Sequence, residues 1–244
     1  MKPNTEDLIE ENDINTIFAE DPSKFIGEFV SSKYKVTRGY TNGTGKQLRL
    51  YYTKLEPIGE KKASICIVHG FGEHSGRFLD IAETFVNESF VVHLIDLRGF
   101  GYSGGPRGCS TIAELHSDIE VLLKQVSRDL PLFLYGHSLG GMLILSLALR
   151  NPELNLAGII TTSALIKFIK DRNLSAGKLF MIRMMGKALE DVVVNSMINP
   201  TALTKSHYHV KKSFGDRLMI PFLGMNMARN IIECTQYILP HAEE

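Results

Sequence analysis

The chain has 244 residues, 44% of them hydrophobic, with 27 basic and 27 acidic residues and a formal net charge of zero. That length admits one α/β domain with an insertion. Zero net charge gives no electrostatic case for nucleic acid, and no apolar run approaches the length of a membrane span. The three cysteines, Cys66, Cys109 and Cys234, are scattered and odd in number, which argues against a disulfide or metal framework and fits reduced thiols in a cytoplasmic protein.

Residues 1–30 carry eight acids against two lysines, a net charge of −6. A signal peptide needs a basic start and an apolar core, so this segment is not one. It reads as an acidic extension with one or two short helices, docked through apolar residues such as Ile17, Phe18, Phe25 and Phe29. A hairpin follows. Residues 33–40 and 47–55 flank Thr41-Asn-Gly-Thr-Gly45, a strong turn signal. Strand and helix then alternate. Strand 63–68 leads to a helix over 77–88, and strand 90–95 leads through a Gly-rich turn to a helix over 111–128. Strand 131–135 leads to a helix over 138–150, and strand 156–162 closes the run. This rhythm predicts an α/β core over 31–164, a mostly parallel sheet with helices on both faces.

After Ser163 the rhythm breaks. Residues 165–244 read as helical stretches, with eleven Lys/Arg against seven acids. Lys178, Arg183 and Lys187 alternate with Leu179, Phe180, Ile182, Met184 and Met185. Such a segment either packs its apolar side on the body or touches a lipid surface reversibly.

The chemistry concentrates at Gly136-His-Ser-Leu-Gly140, a G-x-S-x-G pattern. An apolar strand precedes it and an apolar helix follows, the context in which the serine sits on a sharp turn with its hydroxyl exposed. Ser138 is therefore the candidate nucleophile. A second buried strand ends in His69-Gly-Phe-Gly-Glu-His-Ser-Gly-Arg77. A His-Gly turn in that position supplies one oxyanion-hole amide, and the residue after the nucleophile supplies the other. The candidates are the N–H groups of Phe71 and Leu139. Each such donor lowers the barrier by about 3 kcal/mol or more.

With Asp96-Leu-Arg-Gly-Phe-Gly-Tyr-Ser-Gly104 between them, these two motifs resemble, in order, those of the monoglyceride lipase family. That family is the lysophospholipase-like, serine-aminopeptidase-type branch of the α/β-hydrolases. The resemblance covers about Tyr34 to Ala164. It implies an α/β-hydrolase core with a helical cap over 165–244, no organic cofactor and no metal. It implies a lipid ester substrate, a monoacylglycerol or lysophospholipid, and peripheral membrane contact through the cap. It places Glu73 and Arg77 near the alcohol end of the substrate; a surface ion pair at the start of a helix is the competing reading of those two.

A serine hydrolase also needs an acid and a histidine, in the order Ser, Asp/Glu, His. The family carries both after the cap. Inside this chain Asp216 with His241 has the right order, but Ser213-Phe-Gly-Asp-Arg217 follows no clear strand. Asp191, His207 and His209 are weaker still. The expectation is a core truncated before its last strands, with acid and base absent and residues 1–244 inactive alone. Two alternatives stay open: another acyl hydrolase or acyltransferase using the same elbow, and a non-catalytic hydrolase fold that binds lipid or a partner.

Overall fold

The computed structural model describes residues 26–167, 192–196 and 204–242, with isolated positions between 177 and 201. Its centre is a seven-stranded sheet. The strands are β1 (Gly27–Val30), β2 (Tyr34–Asn42), β3 (Arg49–Pro57), β4 (Ala63–Val68), β5 (Phe90–Ile95), β6 (Leu132–His137) and β7 (Gly158–Thr162). Their spatial order is β1-β2-β3-β5-β4-β6-β7. The β1–β2, β2–β3 and β3–β5 pairs are antiparallel, and β5–β4, β4–β6 and β6–β7 are parallel. The helices α1 (Leu79–Asn87), α2 (Ile112–Leu123) and α3 (Leu139–Arg150) alternate with the parallel strands, as the sequence predicts.

Every residue of β4 is buried, yet its side chains still divide by parity. Cys66 and Val68 join one apolar cluster with α2 and α3, while Ile65 and Ile67 join another with α1. A parallel strand covered by helices on both faces is apolar throughout for this reason. The start of α2 is fixed by a capping box: Thr111 Oγ1 accepts from Glu114 N–H, and the Glu114 carboxylate accepts from Thr111 N–H.

Three elements differ from the sequence reading. Residues 27–30 form a strand, β1, on the antiparallel edge of the sheet, where Phe29 packs against the α1-side cluster. The apolar residues before position 26 lie outside the described residues. A small two-stranded sheet, β8 (Val193–Asn195) with β9 (Phe222–Gly224), stands apart from the main one. Finally, after α4 (His207–Gly215), the last helix α5 (Met225–His241) is a core element and not part of a cap. Met227, Ile231, Cys234 and Ile238 recur on one helical face and enter the same cluster as α2 and α3. The basic positions 178, 183 and 187 lie outside the described residues. Among the described residues no strand pairs with the outer edge of β7, and Ile159 and Ile160 are exposed there.

Candidate active site

Ser138 occupies the junction of β6 and α3 with φ 50° and ψ −112°. This is a left-handed conformation that a non-glycine residue adopts at a cost of about 1–3 kcal/mol. The surroundings hold it. Ser138 N–H donates to the Thr162 carbonyl at the end of β7 at 2.9 Å, and the Ser138 carbonyl accepts from Met142 N–H and Leu165 N–H, each at 3.1 Å. Gly136 and Gly140 make the turn passable. A Cβ on Gly136 would lie 2.6 Å from the Gly140 carbonyl, and one on Gly140 would collide with the Val68 carbonyl oxygen of β4.

The turn after β4 packs directly on this elbow. A Cβ on Gly70 would stand 3.3 Å from Ser138 Cβ and 3.2 Å from the His137 ring. Glu73 Oε2 accepts from Gly70 N–H at 3.1 Å and braces the turn. The His69 ring is buried beneath it. Leu97 N–H donates to His69 Nε2 at 3.0 Å, so the proton sits on Nδ1 and is donated to the Gly70 carbonyl at 2.8 Å. Burial pushes the His69 pKa below its ordinary value and keeps the ring neutral. Asp96, fully buried, accepts from Ser75 N–H at 2.7 Å and Tyr102 N–H at 2.8 Å, tying the two Gly-rich loops together. Among the described residues no acceptor meets Phe71 N–H. Leu139 N–H opens α3, where no intrahelical acceptor exists. The positive end of the α3 dipole points to the same place.

The segment 213–224 lies across this turn. Ile220 N–H donates to the Gly72 carbonyl at 3.0 Å, and Gly224 N–H donates to the Gly108 carbonyl at 2.9 Å. Between segment and elbow is a cavity of about 390 Å³. Ser138, Phe71 and His137 face it from the core, and Phe214, Met219 and Ile220 from the strap. Among the described residues its charged lining residues are both acids, Glu73 and Asp216. Behind them lies Arg77. Its Nε is 3.4 Å from Glu73 Oε1, its Nη1 3.5 Å from Asp216 Oδ2, and its Nη2 donates to Ser213 Oγ at 2.9 Å. His74 Nε2–H donates to Asp216 Oδ2 at 2.9 Å. Burial alone would raise the Asp216 pKa, but the His74 hydrogen bond and the Arg77 charge bring it below the usual carboxylate value, so Asp216 is ionised at neutral pH.

The family model for serine aminopeptidase, S33, matches residues 59–244. The chain belongs to that family. Within it, the chain falls in the monoglyceride lipase-like branch of the α/β-hydrolases. Human monoglyceride lipase is 34% identical over 131 residues, 51% of this chain and 42% of the lipase. An uncharacterized abhydrolase domain-containing protein of Dictyostelium discoideum is 32% identical over 199 residues, 81% of this chain and 20% of that protein. The matched stretches thus span only a fifth to about two fifths of those relatives' lengths. Monoacylglycerol lipase from Paleococcus ferrophilus superposes with a TM-score of 0.71 at 24% identity, over 80% of this chain and 73% of that one. A soluble variant of the Saccharomyces cerevisiae monoglyceride lipase gives 0.72 at 17% identity, over 81% and 67%. These two show the common fold.

Ser138, Phe71 and Glu73 come together around one cavity, with Arg77 immediately behind it; Leu139 is buried at the start of α3, next to Ser138 in the chain. Glu73 and Arg77 are not a surface ion pair, since their side chains are only 15% and 18% exposed. Asp216 joins them from the strap. Its partner is His74, and the pairing with His241 does not occur. The reason is geometric. Helix α5 leaves the strap at Gly224 and runs for 17 residues. At 1.5 Å per residue it carries His241 roughly 25 Å along its axis. There the His241 ring stacks on Tyr237 at 4.0 Å, and its Nδ1 bonds to the Tyr237 carbonyl at 2.7 Å. His207 is exposed on α4, and Asp191 lies outside the described residues. The His74–Asp216 contact, 142 residues apart in sequence, had no local signal by which to find it.

Proposed function

We propose that the chain carries the nucleophile and oxyanion half of a serine hydrolase acting on a long-chain lipid ester, a monoacylglycerol or a lysophospholipid. The observation that carries this is Ser138 in its strained elbow, facing a cavity walled by the Gly70 turn. Strain of this kind persists where the surroundings over-determine it, and here it would present the hydroxyl to an acyl carbonyl held by the Phe71 and Leu139 N–H groups. Ser138 Oγ would attack the acyl carbonyl, giving up its proton to a base. The Phe71 and Leu139 amides would hold the oxyanion. The alcohol would leave with a proton, and water would then release the fatty acid from the acyl-enzyme. The apolar strap residues Phe214, Met219 and Ile220 suit an acyl chain.

The base is not evident among the described histidines. His137 Nδ1 bonds to Thr162 Oγ1 at 2.9 Å, His116 Nε2 bonds to Ser146 Oγ at 2.8 Å, and His69, His74 and His241 have the partners given above. His93 is buried inside β5 and His207 is exposed on α4, and no described histidine ring bonds to Ser138 Oγ. The human and yeast relatives named monoglyceride lipase support the substrate class. Exposed Met181, Met184, Phe214 and Phe222 support peripheral contact with a lipid surface. The test is hydrolysis of long-chain monoacylglycerol by the purified protein, with a short soluble ester and an aminoacyl amide as comparisons. A clear preference for the long-chain ester, lost in Ser138→Ala, is expected. Equal kcat/KM on the amide would reject the substrate class.

A further inference from the structure

The chain segregates its charge near its start. Residues 1–25 carry seven acids against two lysines, a net charge of −5, while residues 29–55 carry six Lys/Arg and no acid. We infer that this acidic segment docks, within its own chain, on a basic rim formed by Lys46, Arg49 and Arg107 at the end of the sheet that carries Ser138.

The position of the rim follows from strand register. β3 pairs Tyr52 with Ile95, the last residue of β5, so Arg49 and the turn over 43–48 project past the carboxyl ends of the parallel strands. Ser138 stands at the same end, directly after β6. The loop over 97–108 closes on that turn. Gly104 N–H donates to the Arg49 carbonyl at 2.9 Å, and a Cβ on Gly104 or Gly105 would touch Leu48. Arg107 is exposed on the same loop, and residues 97–113 contain no acid.

Other cations of this region have carboxylate partners. Lys35 meets Glu28 at 2.6 Å, Lys54 meets Glu56 at 2.7 Å, and Arg98 meets Asp118 and Glu114. Lys46, Arg49 and Arg107 are exposed and meet no carboxylate among the described residues. The Arg49 guanidinium lies 4.8 Å over the Tyr40 ring, which orients it and leaves its edge donors to a carboxylate. Arg107 is oriented by its Nη1, which donates to the Gly101 carbonyl at 2.7 Å. Cations gathered without counter-charge repel one another and attract an acidic chain.

The occupant follows from where the segment joins the sheet. β1 begins at Gly27, opposite Arg38; Arg38 is opposite Thr53, and Thr53 is opposite Leu94 near the end of β5. The chain therefore enters β1 from the Ser138 end, with Ile26 exposed there. From Arg38 to Asn42, which faces Arg49, the strand runs about 13 Å. Asp21 is six residues before Gly27 and can reach about 20 Å. The rim is thus within reach of the nearest acids, and the tether favours this segment over that of a second copy. Docking there sets the segment beside Gly108, whose carbonyl anchors the strap through Gly224 N–H.

The test is zero-length carbodiimide cross-linking of the whole chain at low ionic strength, with links in the monomer located by peptide mass spectrometry. The expected result is a link from an acid between Glu6 and Asp21 to Lys46. A glutamate-specific protease gives a second reading. Cleavage after Glu10, Glu11 and Glu20 is expected to be about fivefold faster in Arg49→Gln/Arg107→Gln, which removes two exposed pairs. Circular dichroism checks that this variant is folded. No link to Lys46 would overturn the inference, and that result needs no variant. A link found only in covalent dimers would place a second copy's segment on the rim and overturn it. An unchanged cleavage rate in the folded variant would do the same. If cleavage is unchanged while the variant loses wild-type binding to phosphatidylserine vesicles, the rim serves a lipid surface and the inference falls.

Discussion

Ser138 is the residue at which sequence and backbone make the same statement. The pentapeptide demands a sharp turn, and the turn exists at φ 50° and ψ −112°. A nucleophile held this way is disadvantageous for stability, so activity and stability should separate. Ser138→Gly should stabilise the fold by about 1 kcal/mol or more, since glycine tolerates this region. The same substitution should abolish ester hydrolysis. Ser138→Ala should cost about 10⁶-fold in kcat, with no comparable gain in stability. Urea midpoints beside turnover numbers check both. Asp216 marks the limit of reading by residue. Its place in the site depends on the strap folding back over the Gly70 turn, which brings together positions 142 apart. Pattern and spacing identify the type of residue, but not which distant one it meets.

Among the elements, those with strong periodicity and clear breakers were legible: the hairpin β2–β3, and the alternation from β4 to β7. Each is bounded by turn chemistry or by a switch of period. What escaped were elements whose type is decided by neighbours. β1 and β8 are four and three residues long, too short to show alternation. α5 has the periodicity of an ordinary amphipathic helix, and only the exposed surfaces of α2 and α3 make it a core element. The elbow depends on close approach between elements, which gives a second prediction. Gly140→Ala would place a methyl group against the Val68 carbonyl of β4 and force α3 away from the sheet. A loss of about 1–3 kcal/mol is expected, the range seen for overpacked cores. The edge of β7, which no strand among the described residues pairs with, gives a third. Exposed Ile159 and Ile160 on it are an aggregation hazard. Ile160→Lys should raise the monodisperse fraction of residues 1–244 in light scattering, and no change would show that the edge is covered.

Across the whole molecule, buried histidines make stability depend on pH, His69 in the same direction as the two that follow. His93 lies inside β5 and is pushed down to about 4 by burial, with Lys54 adding to the effect. His116, between α2 and α3, is likewise pushed down to about 4 by burial, with Arg150 adding. The unfolded chain protonates both near pH 6.5, and the folded one does not until about pH 4. Between those values the unfolded state binds more protons, so stability falls as pH falls. The full effect is up to about 3 kcal/mol for each histidine. His116→Gln should flatten the decline between pH 6.5 and 4, and an equally steep profile would reject this origin. The account as a whole rests on Ser138 being the group that meets the acyl carbonyl. The most direct test is reaction of the purified chain with a long-chain alkyl fluorophosphonate, with the adduct located by peptide mass spectrometry. The prediction is a single adduct on Ser138, formed more slowly in Gly70→Ala, whose Cβ would crowd Ser138 and Glu73. An adduct on another residue, or labelling that survives in Ser138→Ala, would contradict it.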